Sequence, residues 1–346
     1  MNATKEKNVL KIAGLFFVGT VLFLAVFSLV GFGQIVITIS QMYVPYYMLA
    51  ILLIISSILV WALRWSLFVK VIHPESNYFE LLKNLLVGLA MNNITPVFKM
   101  GGEAARVYLL KVRHGIRGRE GLATVSSDLT IELIVDILLA MVAVILLMVL
   151  LSPPVWLYGI LVVFLVMSFI ILFGIVGIYT GQGVIHKIIN WCCGKIKRLG
   201  KYRETIINKY DTFQANFRNS LSNKKVFAGA TTLTVLRKVI TVVKYYVLFA
   251  AFGYEIGIVA ILIAVGVGYM LMMVPATPGS LGIFEGGMVS VFVILGVPAG
   301  TAAAVVFLDR LIWFWAVTGI GSTLGTYYGL DILGGELFNR KNGKDI

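Results

Sequence analysis

Asp128, Glu132 and Asp136 stand at i, i+4 and i+8 inside a long apolar stretch, so on a helix the three carboxylates share one face. Arg237, Lys238 and Lys244 stand in a second such stretch, with 237 and 244 on a common face. Asp309 and Arg310 adjoin in a third, and Arg64 lies in a fourth. Ionisable groups inside apolar helices are costly, and they mark binding sites or relays. Two readings follow: ion pairs that only hold helices together, or a polar site. For the site, Arg106, Arg237 and Arg310 offer the planar fork that grips phosphate. Asp128, Glu132, Asp136 and Asp309 would balance those charges or take a cationic group. Lys99 and Lys238, read as close to helix ends, are expected to stretch toward the surface.

The chemistry that is missing narrows the field. There is no HExxH, GxSxG or Walker motif. The histidines are His73, His114 and His186, and no metal-ligating set or cofactor site is expected. Cys192 and Cys193 are adjacent, which disfavours a bond between them. The chain is read as a non-enzyme. Asp128 and Asp309 at similar depth keep an intramembrane enzyme as one rival, and a membrane scaffold as another.

The elements that must position these groups are membrane helices. Of 346 residues, 59% are hydrophobic and 13% charged, with a mean hydropathy of +0.94. Apolar runs near the length of a bilayer crossing recur throughout. The fold class is all-α: a polytopic membrane protein in one transmembrane domain, 1–346. About six long helices are expected, at 9–31, 44–72, 117–151, 154–180, 225–253 and 298–330. Lys and Arg are absent from 31–45, 151–156, 252–258 and 296–300, and crowd the other side. The positive-inside rule then places both termini in the cytoplasm and the protein in the cytoplasmic membrane. Residues 181–224 read as a basic amphipathic cytoplasmic segment; 181–225 hold ten basic residues against Glu204 and Asp211. The net charge of +13 therefore points to anionic lipid surfaces and not to nucleic acid.

Two apolar segments, 77–113 and 257–296, break at Thr-Pro. The first reads TPVFKMGGEAAR and carries Thr95, Pro96, Gly101, Gly102, Glu103 and Arg106. The second reads TPGSLGIFEGG and carries Thr277, Pro278, Gly279, Gly282 and Glu285. In both, the glutamate follows the threonine by eight residues, and an aspartate follows 25 or 24 later, at Asp128 and Asp309. Proline stops a helix and glycine permits irregular backbone. The segments read as re-entrant hairpins, with short crossing pairs as the other reading. Their tips are expected to meet, and Glu103 and Glu285 are expected to cap or latch them. Charge places the two units, 44–150 and 225–330, in opposite orientations, as in transporters built from inverted repeats.

These motifs resemble the flippase-like domain, the transmembrane region of bacterial lysylphosphatidylglycerol synthases, which also occurs alone in bacterial and archaeal proteins. The likeness rests on TP...GGE..R, P.TPG..G..E and the Asp309-Arg310 pair, and covers about 10–330. It implies an inverted-repeat lipid flippase moving an aminoacylated phospholipid or a polyprenyl-phosphate sugar. It carries Pro96, Gly101, Gly102, Glu103, Arg106, Pro278, Gly279, Gly282, Glu285 and Arg310 over as motif positions. Ser280 stands where a second glycine is common, and Leu129 where an arginine is common. No aminoacyl-transfer domain is expected beyond the helices, and a separately encoded lipid-modifying enzyme is an expected partner. Membrane lipids are the other expected partner, and a homodimer is an expected assembly. The function expected is transport of a lipid headgroup through a polar cavity at the midplane.

Overall fold

The computed structural model describes residues 3–95, 100–150, 155–181, 183–195, 203–273 and 277–341. Among these, every regular element is helical. Five helices are long and apolar enough to cross a membrane: Val44–Ile72, Gly118–Leu150, Leu161–Thr180, Lys224–Ala250 and Ala299–Gly329. The number rises to six if α1 (Ala3–Val30) and α2 (Phe32–Ser40) are taken as one bent span, whose parts Phe17–Val30 and Phe32–Ser40 meet at 75°. The expected single helix over 9–31 is thus continued by a bend. Gly31 makes that bend at φ 95°, a conformation open to glycine.

Two helix–hairpin–helix units follow the same order. The first is α3 (Val44–Ile72), α4 (Tyr78–Ile94), α5 (Met100–His114) and α6 (Gly118–Leu150). After α7 (Val155–Thr180), α8 (Val184–Lys195) and α9 (Arg203–Ser222) comes the second. It is α10 (Lys224–Ala250), α11 (Ile258–Met272), a 3₁₀ turn at Pro278–Ser280, α12 (Ile283–Ile294) and α13 (Ala299–Arg310). The last helix resumes as α14 (Val317–Lys341) after a π turn at Leu311–Ala316.

Local chemistry sets the breaks. Asn77 caps α4 by accepting from the Phe79 N–H at 2.8 Å. The helix ends at Thr95 in extended backbone (φ −91°, ψ 133°), because the ring of the next residue, Pro96, clashes with a helical predecessor. Pro96 itself and Lys99 lie outside the described residues. On the other hairpin Gly279 and Gly282 take φ 56° and 83°, and Ser280 follows suit at 57°. Gly282 starts α12, and its N–H donates to the Glu285 carboxylate at 2.5 Å.

The units interlock. Helix α3 packs along α10, α11 along α6, and α14 along α4. The 3₁₀ turn packs against α4, so the two breaks are in contact. The Asn93 carbonyl lies 3.2 Å from where a side-chain carbon on Gly279 would sit. Asn93 also donates to the Thr318 hydroxyl at 2.8 Å and to the Phe314 carbonyl at 3.5 Å. That carbonyl belongs to the π turn, whose wider hydrogen-bond spacing interrupts the helix expected over 298–330. The largest apolar core lies mainly in the second unit and α1, with Phe23, Phe27, Phe249 and Phe292 among its buried rings.

Candidate functional site

The buried charges form two groups of ion pairs. In the first, Asp128 on α6 is fully buried. It accepts from Arg64 Nε at 2.7 Å, Arg106 Nη2 at 2.8 Å and Trp61 Nε1 at 3.2 Å. Arg64 also donates to the Thr234 hydroxyl at 3.0 Å and to Glu132. Glu132 takes two further cations, Arg237 at 2.5 Å and Lys238. Lys238 bridges to Asp136. One helix face of α6 thus presents its three carboxylates to α3, α5 and α10, as helical spacing requires. Indole faces cover the cations: Arg106 lies 4.0 Å over the Trp65 ring and Arg237 lies 4.1 Å over Trp61.

The second group belongs to the second unit. Lys244 on α10 pairs with Asp309 on α13 at 2.6 Å, and the Tyr245 hydroxyl donates to the same carboxylate at 3.1 Å. Arg310 turns the other way. It pairs with Glu285 at 2.5 Å and donates to the Gly279 carbonyl at 3.2 Å. Its guanidinium lies 4.3 Å over the Phe284 ring.

A cavity of about 90 Å³ opens beside these pairs. One water molecule needs about 10–15 Å³ on such a measure, so the space suits several waters or a small polar headgroup. Its polar lining includes Ser57, Arg237, Thr241, Lys244, Tyr245, Tyr269 and Asp309, set among apolar and aromatic side chains such as Phe284 and Trp313. Three of these, Arg237, Thr241 and Lys244, lie on α10 at i, i+4 and i+7, which is a single helix face.

The structure sorts the residues singled out from sequence. Arg237 and Asp309 line the cavity. Arg106, Arg310, Asp128, Glu132 and Asp136 are outside its lining and are held in ion pairs. Each of the three arginines has a carboxylate partner of its own. Lys238 does not stretch to the surface. It is buried between Glu132 and Asp136, because two carboxylates inside the bundle hold it better than the apolar path outward.

The hairpin motifs are placed close to the two breaks. The Gly102 N–H donates to Asn92 Oδ1 at 2.7 Å, and Asn92 Nδ2 donates to Glu103 at 3.2 Å. A side chain at Gly101 would run into Thr95, and one at Gly102 into the Gly88 carbonyl, so the two arms touch through glycine. Thr277 closes the other tip by donating to the Leu281 carbonyl at 2.8 Å. Pro278 and Gly279 form the 3₁₀ turn.

Lys244, Tyr245, Tyr269 and Arg64 were not among the expected site residues. A signal for Lys244 does exist in the chain. Arg64 and Lys244 each stand twenty positions after the first residue of their helices, Val44 and Lys224. Each is the ion-pair partner of its own unit's aspartate. Among the described residues no group of His, Cys, Asp and Glu is arranged to hold a metal.

Known proteins are similar to this chain over most of its length. A UPF0104 membrane protein of Methanothermobacter thermautotrophicus is 26% identical over 322 residues, covering 91% of this chain and 95% of the relative. A UPF0104 membrane protein of Pyrococcus horikoshii is 24% identical over 330 residues, with 90% and 95% covered. One of Methanocaldococcus jannaschii is 26% identical over 337 residues, with 93% and 94% covered. No solved structure matches. The family model for the lysylphosphatidylglycerol synthase TM region matches residues 11–321, which takes in both helix–hairpin–helix units and every buried ion pair above. This multi-pass helical membrane protein therefore belongs to the lysylphosphatidylglycerol synthase TM-region family.

Proposed function

We propose that this chain is a lipid transporter of the cytoplasmic membrane. It moves a phospholipid, aminoacylated or anionic, or a polyprenyl-phosphate-linked sugar from one leaflet to the other. The observation that carries this reading is the cavity between α3, α10, α11 and α13, lined by Arg237, Lys244 and Asp309. Charged side chains around an open space inside an apolar bundle suit a headgroup that has to leave water. The family description, which names a lipid synthase, supports a lipid as the cargo.

In this reading the two units are inverted repeats and their hairpins re-enter the membrane from opposite faces. The touching tips at Asn93 and Gly279 are where the two gates meet. Both termini face the cytoplasm, and the basic segment at 181–224 lies on the inner leaflet. The chain carries lipid without chemistry of its own, forms a homodimer, and receives its cargo from a separate lipid-modifying enzyme.

The test is transbilayer movement of fluorescent lipids in vesicles containing the purified chain. Lys244→Met combined with Asp309→Leu removes both charges of one pair and leaves neither partner stranded. Flipping is expected to fall to the protein-free rate while thermal stability is kept. Unchanged flipping in that variant would sink the cavity as the route, and no flipping by the unaltered chain would favour the scaffold reading.

A further inference from the structure

We propose, resting on the transporter reading, that Asp309 takes up one proton for each anionic headgroup that enters the cavity, so that lipid and proton move together in the same direction.

The buried carboxylates are held by different kinds of cation. Asp128 is bonded by the guanidiniums of Arg64 and Arg106, Glu132 by those of Arg64 and Arg237 besides Lys238, and Glu285 by that of Arg310. A guanidinium keeps its proton at any ordinary pH. Asp136 is bonded by an ammonium, Lys238, but lies outside the cavity lining. The partners of Asp309 are an ammonium and a phenol, Lys244 at 2.6 Å and Tyr245 at 3.1 Å. Asp309 and both partners belong to the lining, around a space with room for several waters.

The neighbours leave this pair to itself. On α10, Arg237 also meets the cavity, and it is already bonded to Glu132. Tyr269 comes from α11. Tyr47 on α3 feels the Asp309 charge, and its buried hydroxyl has no partner. Arg310, next along α13, is turned to Glu285 on α12. Helices α1 and α2 meet α13 through Phe27 and Gln34, which carry no charge. Asp309 is thus the carboxylate of the lining, and Lys244 is its cation.

An exchange of partners follows from charge. An anion that binds the Lys244 ammonium takes it from Asp309. A carboxylate left without a cation inside an apolar bundle is costly, and one proton relieves it. Cavity water delivers that proton from solution: a hydronium ion becomes water as the O–H bond forms on Asp309. Departure of the anion on the other side reverses each step. The empty site is neutral, as ammonium and carboxylate. The filled site is neutral too, as ammonium, headgroup anion and carboxylic acid. Neither form carries a bare charge through the apolar core.

Vesicles of phosphatidylcholine holding the purified full chain test this, with the pH difference and the membrane potential set separately. The probes are fluorescent phosphatidylglycerol and a fluorescent polyprenyl-phosphate sugar, each a monoanion. A monoanion moving with one proton carries no net charge. Each probe that is flipped is therefore expected to gather in the alkaline leaflet, by about tenfold per pH unit, and to ignore the potential. Asp309→Asn should abolish the response to pH, and Asp309→Glu, which keeps an acid, should retain it. In detergent, binding of short-chain phosphatidylglycerol should draw about one proton from a weakly buffered solution, and none in Asp309→Asn.

Flipping that follows the potential and not the pH difference would overturn the proposal. So would gathering in the acidic leaflet, or proton uptake that persists in Asp309→Asn. Each of these leaves the transporter reading standing. A chain that flips neither probe refutes the transporter reading, and the proposal falls with it.

Discussion

The two helix–hairpin–helix units use the same aspartate in different ways. Asp128 and Asp309 each pair with a cation twenty positions into the unit's first helix, Arg64 and Lys244. They part company over the second arginine. In the first unit it comes from the hairpin, and Arg106 reaches across to Asp128. In the second it sits on the long helix, and Arg310 reaches back to the hairpin at Glu285 and Gly279. Asp128 is therefore gripped by two guanidiniums and an indole, outside the lining of the cavity described above, whereas Asp309 holds one ammonium and one tyrosine and faces that cavity. A shared frame thus yields one clamp and one open site, and only the open one is suited to exchanging partners.

The largest expected effect tests that contrast directly. Asp128→Ala leaves Arg106 with no carboxylate and Arg64 with Glu132 alone, and it should cost about 3–5 kcal/mol, as removal of one partner from a buried pair does. Asp309→Ala strands Lys244 and the Tyr245 hydroxyl, but beside a cavity with room for water, and should cost clearly less. Denaturant or thermal unfolding in detergent measures both. Equal losses would break the distinction between clamp and open site.

A smaller effect sharpens the contrast at the hairpin tips. Ser280 sits at φ 57° in a turn flanked by Gly279, and that region disfavours a residue with a side chain. Ser280→Gly should therefore stabilise the chain, by about 0.5–1 kcal/mol after allowing for the freer unfolded glycine. A loss of stability would show that the Ser280 side chain contributes packing worth more than the strain.

The smallest effect concerns the base of the first hairpin. There Glu80 on one arm pairs with Arg113 on the other at 3.2 Å and with Lys83 at 2.8 Å, while Arg113 lies 4.0 Å over Tyr328. Among the described residues no ion pair joins the two arms of the second hairpin. The hydrogen bond from Lys83, followed by the charges of Lys83 and Arg113, holds the Glu80 carboxyl below its usual range. Its stabilising effect is present above the ordinary carboxylate range and is lost as pH falls below that range through the depressed value of the folded state. Glu80→Gln should remove that part of the acid sensitivity, a few tenths of a kcal/mol for so accessible a pair. An unchanged acid limb in the variant would show that the two hairpin bases are held alike.

The sequence told more about the frame than about the partners. Thr95-Pro96 announced its break because proline restricts the residue before it, and the carboxylates of α6 announced their common face through helical spacing. Which cation meets which carboxylate was not legible. That depends on how the hairpins are rotated against the long helices, and nothing local to Arg106 or Arg310 specifies it. Lys244 is the informative miss. It was noticed as a buried charge and left out of the site, although its offset within α10 equals that of Arg64 within α3. Comparing the first helices of the two units, as well as their hairpins, would have found it.

The π turn at Leu311–Ala316 begins directly after Asp309 and Arg310. A π turn is an α-helix with one residue of slack. Passing that slack along a helix turns the adjoining stretch by about 100° and slides it about 1.5 Å. A slip of backbone register at this turn would re-aim Asp309 away from Lys244 and Arg310 away from Glu285 together.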